Sequence, residues 1–225
     1  MDWLRGVSSW PFIHGFLFVT LALFPIVNPP GMAPVFMNYT EGLDDATSTR
    51  LARRVALNSF LLTAAALIIG PLALKFFGLS LPAVRVAGGL VLAVAGWRLL
   101  NQGQEDSKHR APAASAEDVL SGAFYPLTLP LTVGPGSVAV MITLGSSLLG
   151  DVGSSLLLDG VGALVGLAVI SLTIYVCYSQ AERILGKLGP TGVNVLLRLS
   201  AFILLCIGVQ IALQGYTAIL SGREA

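Results

Sequence analysis

The sequence predicts an all-α membrane protein: six transmembrane helices arranged as two inverted three-helix repeats, with the first and fourth helices broken. Three observations lead there. Six apolar stretches are each long enough to cross a bilayer, charged residues make up only 11% of the 225 positions, and helix-breaking clusters recur at matching places in the two halves. A soluble domain carries roughly 25% charged residues, so this composition leaves no material for a water-facing surface. The mean hydropathy of +0.81 agrees.

A span needs about 20 mostly apolar residues. Phe12–Met37 is the first, and it holds Phe24-Pro25 and then Asn28-Pro29-Pro30-Gly31. Met1 to Trp10 contains one Asp and one Arg, and no small-x-small cleavage pattern follows, so the stretch is expected to be a retained span. A polar connector, Thr40–Arg54, leads to the second span, Val55–Phe77, which ends at Phe77-Gly78. The third, Ser80–Leu100, carries Arg85 close to its start, and the polar connector 101–118 follows it. Val119–Leu149 is the fourth, with Tyr125-Pro126 and then Gly134-Pro135-Gly136. The fifth is Leu156–Tyr178, and the sixth is Thr191–Leu220, which begins after Leu188-Gly189 and carries Arg198.

Four features therefore recur in one order: an aromatic-Pro pair, a breaker cluster, a long helix ending in a glycine turn, and an arginine early in the third helix. The repeats are 1–100 and 119–225, joined by 101–118. Three spans per repeat is an odd number, so the second copy enters the membrane from the opposite side, as in many transporters. Lys and Arg near span ends set the orientation. Arg50, Arg53, Arg54, Arg98, Lys108, Arg110, Arg183 and Lys187 fall on one side, against Arg5, Lys75 and Arg223 on the other. The richer side is expected to be cytoplasmic, which puts both termini outside.

The breaker clusters are the strongest chemical signals. Proline removes a backbone donor, and glycine lets the chain leave helical angles. Broken backbone in a membrane is tolerated only inside protein or beside a cavity. Asn28, Pro29, Pro30 and Gly31, with Gly134, Pro135, Gly136 and Ser137, are thus candidate substrate-binding residues, offering half-helix carbonyls and amides to a zwitterion. A plain structural kink is the alternative. Arg85 and Arg198 are candidates for pairing or gating, because a cation within a span is costly unless it snorkels or is paired. Snorkelling, donation to bare carbonyls, and contact with a substrate carboxylate all fit their positions. His14, near the outer end of the first span, reads as interfacial with a proton relay as the alternative, and Asp159 is the one acid inside a span, near its start. Gly162 and Gly166 form a small-xxx-small face, and Gly88, Gly89 and Gly96 are expected to allow close helix approach. Cys177 and Cys206 stand alone in apolar stretches and read as packing residues.

No nucleophile–base pair, metal cluster or phosphate loop is present, so no enzyme, metal or cofactor is expected. A net charge of +1 offers no field for nucleic acid. The remaining partners are membrane lipids and a small solute. A homo-oligomer is left open.

Phe24-Pro25-Ile26-Val27-Asn28-Pro29-Pro30-Gly31-Met32-Ala33-Pro34-Val35-Phe36 resembles the NPxGxxPxF signature of the MarC family. Phe77-Gly78-Leu79-Ser80-Leu81-Pro82-Ala83-Val84-Arg85-Val86-Ala87-Gly88-Gly89 is similar to that family's FGISLPAFRIAGG stretch. Pro130 to Ser137 and Thr191 to Leu199 extend the resemblance into the second half. Pro30 stands where the signature has another apolar residue, and Val84 where the second stretch has an aromatic. The resemblance implies an inner-membrane protein of bacteria or archaea, some of whose members export small neutral amino acids such as alanine and glycine. Serine is added to that list because the residues flanking the breaks leave little room for a side chain. A passive channel is the alternative, and a membrane-embedded enzyme a more distant one.

Overall fold

The structure, a computed structural model, describes residues 10–101, 120–150 and 156–221; for 149, 150, 156, 184–188 and 190 it gives the backbone alone. The described residues are helical throughout, with short connections. In chain order the elements are α1 (Pro11–Val27), α2 (Pro29–Thr40), α3 (Asp45–Phe77), α4 (Leu81–Asn101), the wide-turned α5 (Ala123–Thr132), α6 (Pro135–Gly150), α7 (Leu156–Ser179) and α8 (Ala181–Leu220). Four helices are long and apolar enough to cross a membrane alone. Two bent pairs, α1 with α2 and α5 with α6, make six spans if each pair counts as one. Apart from Asn101, the connector 101–118 lies outside the described residues, as do Arg5 and Arg223.

One span boundary differs markedly from the sequence reading. The second helix starts at Asp45 rather than Val55, so ten residues of the charged connector are helical. The cause is the cap at Asp44, whose Oδ2 accepts the Thr47 N–H at 3.1 Å. Those hydrogen bonds from Thr47 hold the Asp44 carboxyl below its ordinary range. The cap therefore contributes above the usual carboxylate pKa and is lost as pH falls through the depressed value. The last helix begins at Ala181 and bends at Gly189, where φ is +66°, and its membrane-length segment is Thr191–Leu220, the span read from the sequence. Gly78, which the sequence places at the equivalent turn, has φ +63° and donates to the Lys75 carbonyl while Leu79 N–H returns to Leu74.

The burial pattern is that of a protein solvated by lipid. Exposed side chains on α3 include Leu57, Leu61, Ile68, Ile69 and Leu72, and on α8 Val195, Leu199, Phe202 and Leu213. A continuous apolar exterior of this kind has no place in water. The buried polar residues among those described are all Ser or Thr: Thr40, Ser59, Thr63, Thr128, Thr132, Ser137 and Ser200.

Helix pairs close by bringing backbone to backbone at glycine. The most extensive pair is α4 with α8. A Cβ built on Gly89 would fall 2.6 Å from the Gly208 carbonyl oxygen, and one built on Gly208 would fall 2.7 Å from that of Gly89. Gly96 is equally close to Ala201 and Leu205. Gly15, Gly162 and Gly166 do the same between α1 and α7, and Gly70 and Gly145 between α3 and α6. Small residues are what permit such approach in a medium with no hydrophobic drive between helices.

Gly208→Ala should therefore push α8 off α4 and cost roughly 1–3 kcal/mol as an overpacking substitution. Gly160→Ala, where no atom lies within 4 Å, should be neutral or gain up to roughly 1 kcal/mol of helix propensity. Thermal unfolding of the two purified variants in detergent checks this, and equal melting temperatures would contradict it.

Candidate functional site

The first break is a single residue wide. Asn28 lies in the left-handed region at φ 45°, ψ 59°, and α1 and α2 meet there at 43°. Asparagine tolerates these angles because its short amide bonds locally. Here Asn28 Oδ1 accepts the Gly31 N–H at 3.3 Å, and the Asn28 carbonyl accepts from Met32 N–H at 3.0 Å. The sequence reading puts the break at Asn28–Gly31; in the structure it narrows to Asn28, and Pro29, Pro30 and Gly31 form the first turn of α2. Proline is well placed in a first turn, where its missing donor interrupts nothing.

This corrects the expectation that each break offers both carbonyls and amides. Pro29 and Pro30 have no N–H, and those of Gly31 and Met32 are taken by Asn28. The start of α2 has no amide left to give. The end of α1, by contrast, keeps carbonyls that helix geometry would pair with residues 29 and 30, namely those of Pro25 and Ile26.

The second break is sharper. α5 and α6 meet at 71° across Val133 and Gly134. α5 itself is irregular: Tyr125 and Leu129 have extended angles, each ahead of a proline that disfavours helix in the preceding residue. Both Tyr125-Pro126 and Leu129-Pro130 are cis. Hydroxyls serve its widened turns, with Thr128 donating to the Ala123 carbonyl and Thr132 to that of Leu127, each at 2.7 Å. Val133 and Gly134 form the corner, while Pro135, Gly136 and the buried Ser137 begin α6. A Cβ on Gly136 would fall 2.8 Å from Leu92 Cβ of α4.

Packing of α1 on α6 and of α2 on α5 brings the two broken spans side by side. Residues without a sequence signal join them. Ser200 of α8, 6% exposed, lies directly against Gly31, so that a Cβ there would overlap both Ser200 Oγ and Asn28 Nδ2. Tyr178 of α7 stacks on Phe36 of α2, with ring centroids 4.5 Å apart. Its hydroxyl lies 3.0 Å from that of Thr132 in α5. Thr132 has one hydroxyl proton and gives it to Leu127, so Tyr178 is the donor.

The arginines stand apart from these contacts. Along α4, Leu92 meets Gly136 and Gly88 meets Ala139. Arg85 lies one turn further out, with its Cβ facing Gly215. Arg198 is near Ser200 in sequence but exposed on another face. Neither forms an ion pair or hydrogen bond among the described residues. His14, read from sequence as interfacial, pairs with Asp159 across α1 and α7 at 3.2 Å. Among the described residues no three His, Cys, Asp or Glu side chains gather as metal ligands.

A bundle with an apolar exterior, hydroxyl-bearing interior and two broken spans in contact defines a polytopic helical integral membrane protein. The chain belongs to the MarC family of integral membrane proteins, which it matches over residues 13–220. It is 31% identical over 193 residues to the membrane protein YvbG of Bacillus subtilis, covering 85% of this chain and 89% of that one. The membrane protein MJ1677 of Methanocaldococcus jannaschii is 31% identical over 201 residues, with 89% and 95% covered. The inner membrane protein MarC of Salmonella typhimurium is 28% identical over 206 residues, with 89% and 93% covered. No solved structure matches the chain.

The Tyr178–Thr132 bond gives a directional expectation. Tyr178→Phe removes the donor but leaves Thr132 bonded, and should cost about 1 kcal/mol. Thr132→Val strands the buried Tyr178 hydroxyl and should cost more, about 1–3 kcal/mol. Unfolding of both variants in detergent micelles checks the order; the reverse order would exclude Tyr178 as the donor.

Proposed function

We propose that this protein is a secondary transporter of the inner membrane that exports or exchanges small neutral amino acids, with alanine, glycine and serine as substrates. The observation that carries the reading is the meeting of two broken spans in an interior whose buried polar groups are hydroxyls. Half-helix ends supply partial charges without ionised side chains, which suits a zwitterion. Uncharged surroundings disfavour lysine and glutamate, whose burial without a partner is costly.

Alternating access through two inverted repeats fits the packing. When the halves are exchanged, α1 with α7 maps onto α5 with α3, α3 with α6 onto α7 with α2, and α4 with α6 onto α8 with α2; each is a pair in contact. The α4–α8 and α3–α7 pairs map onto themselves. The excess of Lys and Arg on one side favours both termini in the periplasm.

Counterflow of labelled alanine into proteoliposomes tests the reading. Saturable, stereoselective exchange is expected, with glycine and serine competing and leucine, lysine and glutamate competing poorly. Flux without saturation or stereoselectivity would make the protein a channel, and none for any of these solutes would exclude amino-acid transport. Gly31→Val and Gly136→Val, whose side chains would enter the space held by Ser200, Asn28 and Leu92, should lose at least about tenfold in rate while still inserting. Wild-type rates in both would reduce the breaks to kinks.

A further inference from the structure

The two breaks are chemically unlike, although the sequence presents them as equivalents. At the first, donors have been removed and acceptors kept. Pro29 and Pro30 carry no N–H, and Asn28 takes the amides of Gly31 and Met32. The carbonyls of Pro25 and Ile26, which point along α1 towards the break, have no helical donor to receive. Ser200, a residue only 6% exposed, packs its Oγ against Gly31 and forms no side-chain hydrogen bond among the described residues. A hydroxyl on so enclosed a residue is open to a partner.

We propose that the first break is a pocket for a small monovalent cationic group, formed by the Pro25 and Ile26 carbonyls and the Ser200 hydroxyl. The identification of that group as the ammonium of the transported amino acid rests on the transport reading above; a sodium ion shares the same chemistry. Three acceptors match the three N–H donors of a primary ammonium. The carbonyl end of α1 carries the negative pole of its dipole. A carboxylate would meet acceptors on one side and, on the other, only the Asn28 side-chain amide. The substrate is thereby oriented, with its ammonium at the first break and its carboxylate directed away from it. No ionised side chain is needed, which is why the sequence carries no acidic marker here.

Thermal unfolding of the purified full chain, in sodium-free choline buffer, reads the pocket without requiring transport. The probes are alaninamide and methylammonium (cations without a carboxylate), sodium, and propionate (a carboxylate without an amine). Stabilisation by the amines is expected, with Ser200→Ala weakening it about tenfold, the loss of one hydrogen bond to a charged group. Ser147→Ala, on an exposed face of α6, serves as the control for folding. Asn28→Asp keeps an oxygen for the Gly31 amide and adds a negative charge, so it should tighten alaninamide relative to alanine, a gain that a merely structural residue would not produce. Stabilisation by sodium that Ser200→Ala abolishes would support the pocket and assign it to the ion. Stabilisation by propionate alone, or by none of the four, would overturn the inference whatever the counterflow result. Amine stabilisation without alanine counterflow would uphold the pocket and remove only the amino-acid reading.

Discussion

In a lipid interior a peptide N–H or carbonyl has no water to turn to, so each group freed where a helix is interrupted needs a partner from the protein or from what the protein binds. This constraint arranges both broken spans. In α5 the answer comes from threonine: Thr128 and Thr132 send their hydroxyl protons to carbonyls five residues back, and Tyr178 then satisfies Thr132. Between α1 and α2 it comes from Asn28, whose side chain and carbonyl cap the new helix while its backbone turns through the left-handed region. Two of the buried hydroxyls, those of Thr128 and Thr132, make the repairs in α5. Threonine suffices, because it supplies both a donor and an acceptor without a charge.

The second requirement is proximity. Repairs of this kind work across helices only where backbones come close, and glycine allows it. Gly31 admits Ser200 to the first break, Gly136 admits Leu92 to the second, and Gly89 with Gly208 draws together the two helices that carry those residues. The breaks and the α4–α8 contact thus form one mechanical unit. A displacement of α8 against α4 changes what faces each break.

Much of this was legible in the sequence. Asn-Pro-Pro-Gly and Gly-Pro-Gly announce interruptions through covalent properties that no environment changes, and glycine stripes announce close approach. The apolar stretches gave the spans within a turn or two, except where the Asp44 cap extended α3 through charged residues whose composition suggested a loop. What stayed hidden depended on partners distant in the chain. Nothing local distinguishes Ser200 from a serine facing lipid, or marks Tyr178 as the donor to Thr132, and His14 and Asp159 are 145 residues apart. The fate of the Gly31 amide was hidden for another reason: it follows from the Asn28 rotamer, which a motif does not encode. The extended angles at Tyr125 and Leu129 could have been anticipated, since each residue precedes a proline.

The contacts between elements run almost entirely from one half of the chain to the other; within a half, only α6 with α7 and α7 with α8 touch appreciably. That has a consequence for how the protein is made. A ribosome delivers α1 to α4 to the membrane before their packing partners exist. Until the second half is inserted, Gly89 and Gly96 face lipid, His14 lacks Asp159, and the carbonyls at the first break have no Ser200 beside them. The early intermediate must persist as loosely associated helices that rely on hydrophobicity alone to remain in place. Final assembly is then a single interlocking of two halves rather than the docking of one finished unit onto another.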